Sequence, residues 1–278
     1  MKKSIGNNLL PKAMTLAAGL ELIHDAGYEG VEYWVEREGA LTPRTSDAQA
    51  RALRAMTHDH GLQVSNVSTA LHWEAPFSSR DPAVRAQALA IARRQLELAQ
   101  IFGCDEILVV AGLVTPEVTY DECYQRCLEV LPPLGPEARR AGVVIGIENC
   151  NAEQRFMMGP REMRLFIDAL GAGFGSHLDV GNIHDTGFPE QWVEEMGPRI
   201  ARMHVKDTLR GRGRGGGSVY TNIFLGDNNW PAIMRALRKV GYDGFLVAEM
   251  EVPYRYCPDQ QFYDTAAALR RLIGMAEE

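Results

Sequence analysis

The chain has 278 residues, of which 46% are hydrophobic and 23% charged, an ordinary composition for a globular protein with a large core. Its formal net charge is −7 and it has no long basic tract, which argues against a nucleic-acid partner and is compatible with a cation site. No stretch approaches the roughly 18 uninterrupted apolar residues of a membrane span, so we expect no membrane partner.

The cysteines and the start of the chain indicate the compartment. The five cysteines are scattered and form no CxxC pair, as is common in a reducing compartment. No apolar segment of signal-peptide type follows Lys2 and Lys3. We therefore predict a cytoplasmic protein.

Short apolar runs alternate with longer amphipathic stretches along the chain. The runs predict eight strands, at residues 3–5, 31–33, 63–68, 107–110, 143–148, 175–179, 200–205 and 245–250. Most of them are short, apolar and bounded by Gly or polar residues, which is typical of strands buried on both faces.

Capping signals predict helices between these strands. Helices are expected from Ser46 to near Gly61, from Pro82 to Gly103, from Pro160 to Gly171 and from Trp230 to Gly241. The adjacent prolines 132 and 133 should break the helical stretch that follows residue 116, with a second short helix continuing to residue 140.

Eight strands separated by helices imply parallel pairing through right-handed crossovers. A (β/α)₈ TIM barrel needs about 250 residues, so one barrel domain over residues 1–278 accounts for the chain. The alternative, an open doubly wound sheet, is disfavoured because residues 5–12 lack a glycine-rich phosphate motif. We predict a single α/β barrel.

Four predicted strands end in a polar residue. Glu148, Asp179, His204 and Glu249 end the fifth to eighth strands in order. Active sites of such barrels form at this end, and neighbouring strands lie about 4.8 Å apart, so the four side chains can converge. Each alone could be a solvated cap or a loop anchor. Together, three carboxylates would repel one another without a cation, which predicts a site for one divalent ion, Mn²⁺, Mg²⁺ or Co²⁺, with Zn²⁺ as a further option.

Six short segments carry a family resemblance. They are GYEGVE at 27–32, IEN at 147–149, LDVGN at 178–182, HVKDTL at 204–209, GD at 226–227 and GYDG at 241–244. Together they resemble the xylose isomerase-like TIM-barrel superfamily of sugar isomerases and epimerases. The strongest likeness is to the ketose 3-epimerases and to the L-ribulose-5-phosphate 3-epimerase or hexulose-phosphate isomerase type.

The resemblance implies that Glu148, Asp179, His204 and Glu249 bind the metal. It also implies that Glu148 and Glu249 form a catalytic pair on opposite sides of the substrate carbon, in an order that the sequence leaves open. One glutamate would remove a proton beside the carbonyl and the other would supply one to the opposite face, through an enediolate of the substrate.

Two further positions bear on substrate recognition. The resemblance implies that Arg210 contacts a substrate oxygen. Asn182 stands where ketose 3-epimerases of the tagatose and psicose type carry a histidine, and this departure favours the sugar-phosphate branch. The substrate is therefore predicted to be a small sugar or sugar phosphate.

Several other polar or aromatic residues have two interpretations. Lys206 could contact substrate or neutralise the acidic site, or it could form a structural ion pair. Glu32 could orient the ligand histidine or make an ordinary hydrogen bond at the barrel mouth. His72 and Trp73 could form an apolar wall for the sugar or a stacked loop pair. His184 is predicted to line the pocket in preference to ligating the metal.

Residues 210–217 have the sequence RGRGRGGG. Glycines let backbone amides approach an anion, and the arginines could bind a phosphate bidentately. The segment follows the seventh strand, near where barrels often bind phosphates. The alternative is a mobile lid or a solvated turn.

Other functions remain open at this point. A metal-dependent inosose dehydratase-type lyase or a hydroxypyruvate isomerase would use nearly the same ligands. A DNA-repair endonuclease of the related branch is disfavoured because it needs more histidines and a basic face. A non-catalytic sugar-binding barrel is disfavoured by the intact ligand set. We expect a homo-oligomer, a dimer or a tetramer, with no interface identified.

Overall fold

The computed structural model describes residues 1–150, 154–183, 187–213, 217–250 and 252–277. These described residues form ten strands, β1 (Lys2–Gly6), β2 (Gly30–Trp34), β3 (Gln63–Ser68), β4 (Glu106–Val109), β5 (Val144–Glu148), β6 (Phe174–Asp179), β7 (Ile200–Val205), β8 (Asp207–Leu209), β9 (Val219–Thr221) and β10 (Phe245–Ala248). Strands β1 to β7 follow one another around a closed barrel, and β10 pairs in parallel with both β7 and β1 to complete it. The predicted eight-stranded parallel barrel is confirmed.

Helices surround the barrel. Those with assigned bounds are α1 (Leu16–Asp25), α2 (Asp47–Asp59), α3 (Pro82–Phe102), α4 (Tyr120–Val130), α5 (Leu134–Ala141), α6 (Pro160–Leu170), α7 (Pro189–Met196), α8 (Trp230–Val240) and α9 (Gln260–Glu277). The predicted caps are present, since the Asp81 side chain accepts a hydrogen bond from the Ala83 amide and Gly103 ends α3 with φ 75°. The predicted break between α4 and α5 is confirmed.

The largest departure from the prediction is an antiparallel ribbon. Strands β8 and β9 pair from Asp207 with Thr221 to Leu209 with Val219, so two strands that the sequence did not predict flank the glycine- and arginine-rich segment at 210–217. Three-residue strands are too short to show an alternation of apolar and polar residues, so periodicity could not reveal them. Strand β10 also ends at Ala248, two residues earlier than predicted.

The barrel contains a buried polar pair formed by His177 and Glu106. The Nδ1 atom of His177 lies 3.0 Å from Oε1 of Glu106, and both side chains are fully buried. Burial raises the pKa of Glu106 well above its usual range and lowers that of His177, so both groups are held neutral. Gly146 leaves room for this pair, because a Cβ there would overlap the Glu106 carboxyl group.

The cysteines and the helices bear on the predicted compartment. Cys104, Cys123, Cys127, Cys150 and Cys257 are all free thiols. Among the described residues, the helices include none with both the length and the apolar character of a membrane span. The cytoplasmic location stays a prediction.

Candidate active site and metal centre

Four side chains converge at the carboxyl end of the barrel. Glu148, Asp179, His204 and Glu249 each offer one ligand atom, and these atoms all lie within 4.8 Å of one another. Glu148 and Asp179 end β5 and β6, His204 lies near the end of β7, and Glu249 directly follows β10. Because β5, β6, β7 and β10 are consecutive around the barrel, the chain brings the four predicted residues to one point.

The donor set fits a divalent cation. Nδ1 of His204 is fully buried, 3.7 Å from Oε1 of Glu148 and 3.5 Å from Oε2 of Glu249. It has no hydrogen-bond partner among the described residues. Leaving a buried ring nitrogen unsatisfied is unfavourable, and a bound cation would satisfy it. Three carboxylates and an imidazole are ligands that Mn²⁺, Mg²⁺ or Co²⁺ accept.

The other nitrogen of His204 is held by Glu32. Nε2 of His204 lies 3.0 Å from Oε1 of Glu32, which also accepts hydrogen bonds from Asn66 Nδ2 and Ser68 Oγ, both at 2.6 Å. Trp34 Nε1 donates to the second carboxylate oxygen at 2.7 Å. Burial opposes ionisation of Glu32, but the His204 charge and these hydrogen bonds lower its pKa. An ionised Glu32 favours a proton on Nε2 and leaves Nδ1 directed toward the other three ligands.

Lys206 brings a positive charge into the site. Its Nζ atom lies 2.9 Å from Oδ2 of Asp179 and 2.6 Å from Oε2 of Glu249, and 4.4 Å from the centre of the Tyr220 ring. Burial raises the pKa of Asp179 to about 7, although Lys206 opposes this. Burial also acts to raise the pKa of Glu249, but the charges of Lys206 and His204 outweigh it and lower the value to about 2. These contacts fit neutralisation of the acidic cluster and equally fit a structural ion pair, and a contact of Lys206 with substrate stays a prediction.

Two residues that follow β5 were given no separate role from the sequence. Asn149 donates from Nδ2 to the Asp179 carbonyl at 2.9 Å and accepts from the Asp179 amide at 2.8 Å. The Cys150 thiol donates to Oε2 of Glu148 at 3.0 Å. Asn149 therefore joins the ends of β5 and β6, and Cys150 orients one carboxylate. Asn149 is the last residue of the IEN motif, which was the signal for it in the sequence.

The GD segment before α8 supports the loop beside the site. Asp207 is fully buried and accepts hydrogen bonds from the Phe224 amide at 3.0 Å and from Trp230 Nε1 at 2.8 Å. A Cβ on Gly226 would overlap the Asp207 carboxylate. These contacts give Asp207 and Gly226 a structural role in holding the loop.

Asn182 lies next to the converging side chains and Arg210 lies farther out. The backbone amide of Asn182 donates to Oδ1 of Asp179 at 3.2 Å. The side-chain Oδ1 of Asn182 accepts from the Tyr220 hydroxyl at 2.8 Å. Arg210 is exposed, donates from Nη2 to the Gly187 carbonyl at 2.6 Å and lies 4.9 Å from the centre of the Phe188 ring. The guanidinium of Arg210 therefore sits at the rim in this conformation.

His72 and Trp73, which were predicted to form an apolar wall together, lie in different surroundings. Trp73 is partly buried and packs against Leu108, Val110 and Cys150. The Cys150 thiol donates a hydrogen bond to Glu148, so Trp73 lies beside the candidate metal site. His72 is instead fully buried, with its ring centre 4.9 Å from that of Phe77, and burial lowers its pKa to about 3. A side chain without accessible surface cannot face a sugar, so only Trp73 keeps that expected role. His184 and Arg214 lie outside the described residues.

A second group of three residues shares one member with the first. Glu32, His177 and His204 also offer atoms close enough for a metal, and the rings of His177 and His204 have centres 4.1 Å apart. The sequence did not single out His177. Because Glu32 already accepts four hydrogen bonds, including the one from His204, we interpret this group as the support of the His204 ring.

Comparison with known proteins adds the family. A family model described as xylose isomerase-like TIM barrel matches residues 20–272. The L-ribulose-5-phosphate 3-epimerase UlaE of Salmonella paratyphi A is 27% identical over 253 residues, which cover 87% of this chain and 84% of that protein. The fold is similar to a crystal structure of D-psicose 3-epimerase in the presence of D-fructose, with a TM-score of 0.80 and 18% identity over 100% of both chains. It is also similar to an L-ribulose 3-epimerase structure, with a TM-score of 0.82 and 18% identity over 99% of this chain and 95% of that one.

Proposed function

The chain belongs to the xylose isomerase-like TIM-barrel family, and we propose that it is a divalent-metal-dependent epimerase or isomerase of a small sugar or sugar phosphate. The observation that carries the proposal is the convergence of Glu148, Asp179, His204 and Glu249 within 4.8 Å. A catalytic cation needs charge-compensating ligands at the mouth of the barrel, which is where substrates of this fold bind.

The proposed chemistry is a proton transfer at the carbon beside a carbonyl. A divalent cation held by the four residues would stabilise negative charge on the substrate oxygens. Glu148 and Glu249 act as the proton-accepting and proton-donating groups, since carboxylates in different surroundings can hold different protonation states at neutral pH. The surroundings of the two carboxylates differ, because the Cys150 thiol donates to Glu148 and the Lys206 ammonium donates to Glu249.

The preferred substrate is a ketose phosphate, and the preferred reaction is epimerisation at carbon 3. Support comes from the sequence relative named as an epimerase of L-ribulose 5-phosphate. Asn182 also supports it, because it stands where the resemblance places a histidine in epimerases of unphosphorylated ketoses, and it is hydrogen-bonded to Tyr220 at 2.8 Å. The segment at 210–217, which follows β7 and β8 in the chain, contains arginines for binding a phosphate. Epimerisation of an unphosphorylated ketose is the second candidate within the same chemistry.

The test is isotope exchange in D₂O. The protein is loaded with Mn²⁺ and incubated with a panel of ketoses, ketose phosphates, hydroxypyruvate and an inosose. We expect deuterium at the carbon next to the carbonyl and formation of the 3-epimer from one ketose phosphate, and we expect EDTA to abolish both. Exchange that is unaffected by metal removal, or no exchange with any member of the panel, would contradict the proposal.

The same panel separates the alternatives. A dehydratase-type lyase would release water from the inosose, a hydroxypyruvate isomerase would turn over that compound alone, and a sugar-binding barrel would bind a panel member without exchange. We also propose that residues 1–278 act as one domain and that the protein is cytoplasmic. We further propose that it is a homo-oligomer. The mass of the protein in solution tests the oligomeric state.

A further inference from the structure

Lys206 contacts two of the four residues that could bind a metal. Its ammonium is 2.9 Å from Oδ2 of Asp179 and 2.6 Å from Oε2 of Glu249, two of the four candidate ligands. We propose that Lys206 is the counter-ion of the acidic cluster, and that a divalent cation must displace it from at least one of these two carboxylates in order to bind. The inference rests on the proposed metal site and adds a competing cation to it.

The chain confines the Lys206 side chain at this position. The residue is 4% exposed, and its aliphatic stem packs directly on Gly181, where a Cβ would overlap the Lys206 Cγ atom. The Tyr220 ring lies 4.4 Å from Nζ. These contacts give the glycine of the LDVGN motif a physical reason, since any side chain at position 181 would displace the lysine stem.

The charges of the cluster favour competition between the ammonium and a metal ion. Three carboxylates at one point repel one another, and the Lys206 ammonium partly neutralises them. His204 pairs with Glu32 through Nε2, so it compensates the three carboxylates less than Lys206 does. A divalent ion on the same oxygens would lie within a few ångströms of Nζ and would be repelled by it, because the buried site screens charge poorly. Metal binding therefore requires the ammonium to give up at least one carboxylate.

The experiment is Mn²⁺ binding to Lys206→Met. We expect calorimetry to give a Kd at least about tenfold lower than that of the wild type, since the competing charge is gone. We expect a lower Tm without metal and a larger rise in Tm when Mn²⁺ is added. Lys206→Gln should behave in the same way if the methionine variant does not fold without metal. Lys239→Met is the matched control, because it removes an exposed lysine that pairs with Glu194 at 3.1 Å, and it should leave Kd unchanged.

Each outcome has a distinct meaning. Unchanged or weaker Mn²⁺ binding by both Lys206 variants would overturn this inference. The same holds if the variants raise only the KM for the sugar, because Lys206 would then be a substrate contact. If the wild-type protein binds no Mn²⁺, the proposed function fails together with this inference, whereas normal wild-type binding with no tighter binding by the variants removes the inference alone.

Discussion

Glu249→Gln is expected to slow epimerisation by orders of magnitude while keeping the fold and the bound Mn²⁺. The amide oxygen can still accept a hydrogen bond from Lys206, which donates to Oε2 of Glu249 at 2.6 Å, and it can still act as a metal ligand. An amide cannot take up or release the proton that the reaction moves. Loss of one general acid–base group lowers rates by about 10²–10⁴-fold, so we expect kcat to fall by that amount.

Exchange with solvent makes this prediction specific. In D₂O, the epimer whose C–H bond faces Glu249 should no longer exchange, whereas the epimer that faces Glu148 should still do so. Glu21→Gln, on the exposed side of α1, is the matched control and should retain wild-type rates. If both epimers exchange at wild-type rates in Glu249→Gln, the scheme with two glutamates is wrong.

Glu32→Gln is expected to weaken metal binding by about 10–100-fold without removing a ligand. The carboxylate of Glu32 accepts from four donors, among them Nε2 of His204 at 3.0 Å and Trp34 Nε1 at 2.7 Å. Glutamine has one acceptor oxygen and turns an NH₂ group toward some of these donors, so the His204 ring loses the partner that holds it. The measurement is the Mn²⁺ Kd by calorimetry.

The same change should also destabilise the fold. At least one buried donor is left without an acceptor, which costs about 1–3 kcal/mol in the free energy of unfolding, measured by urea denaturation. Glu36→Gln, an exposed position that follows the same strand, should change neither quantity. A Glu32→Gln protein with wild-type Mn²⁺ affinity would show that His204 does not need Glu32 for its orientation.

The barrel and the four converging side chains could be predicted because both leave strong local signals. Strands buried on both faces are continuous apolar runs, and a charged residue that ends such a run stands out from its neighbours. Glu148, Asp179 and Glu249 are such residues. Once the strand order is known, their proximity follows from the spacing of strands in a sheet.

The supports of the site could not be predicted in the same way. Tyr220, His177 and Asn66 reach the site through contacts between positions far apart in the chain, and no spacing rule indicates such contacts. His72 illustrates the opposite error, because its neighbour Trp73 packs beside the site while His72 itself is buried against Phe77. Adjacent residues in a turn point in different directions, and the sequence does not indicate which one faces the cavity.

The most direct test of the central claim is the number of Mn²⁺ ions bound per chain. Calorimetric titration of the metal-free protein should give one ion per chain for the wild type. Asp179→Ala and His204→Ala each remove one of the four side chains that converge within 4.8 Å, and each should abolish measurable binding at that site. Wild-type stoichiometry and affinity in both variants would contradict the account, because the ion would then be bound elsewhere.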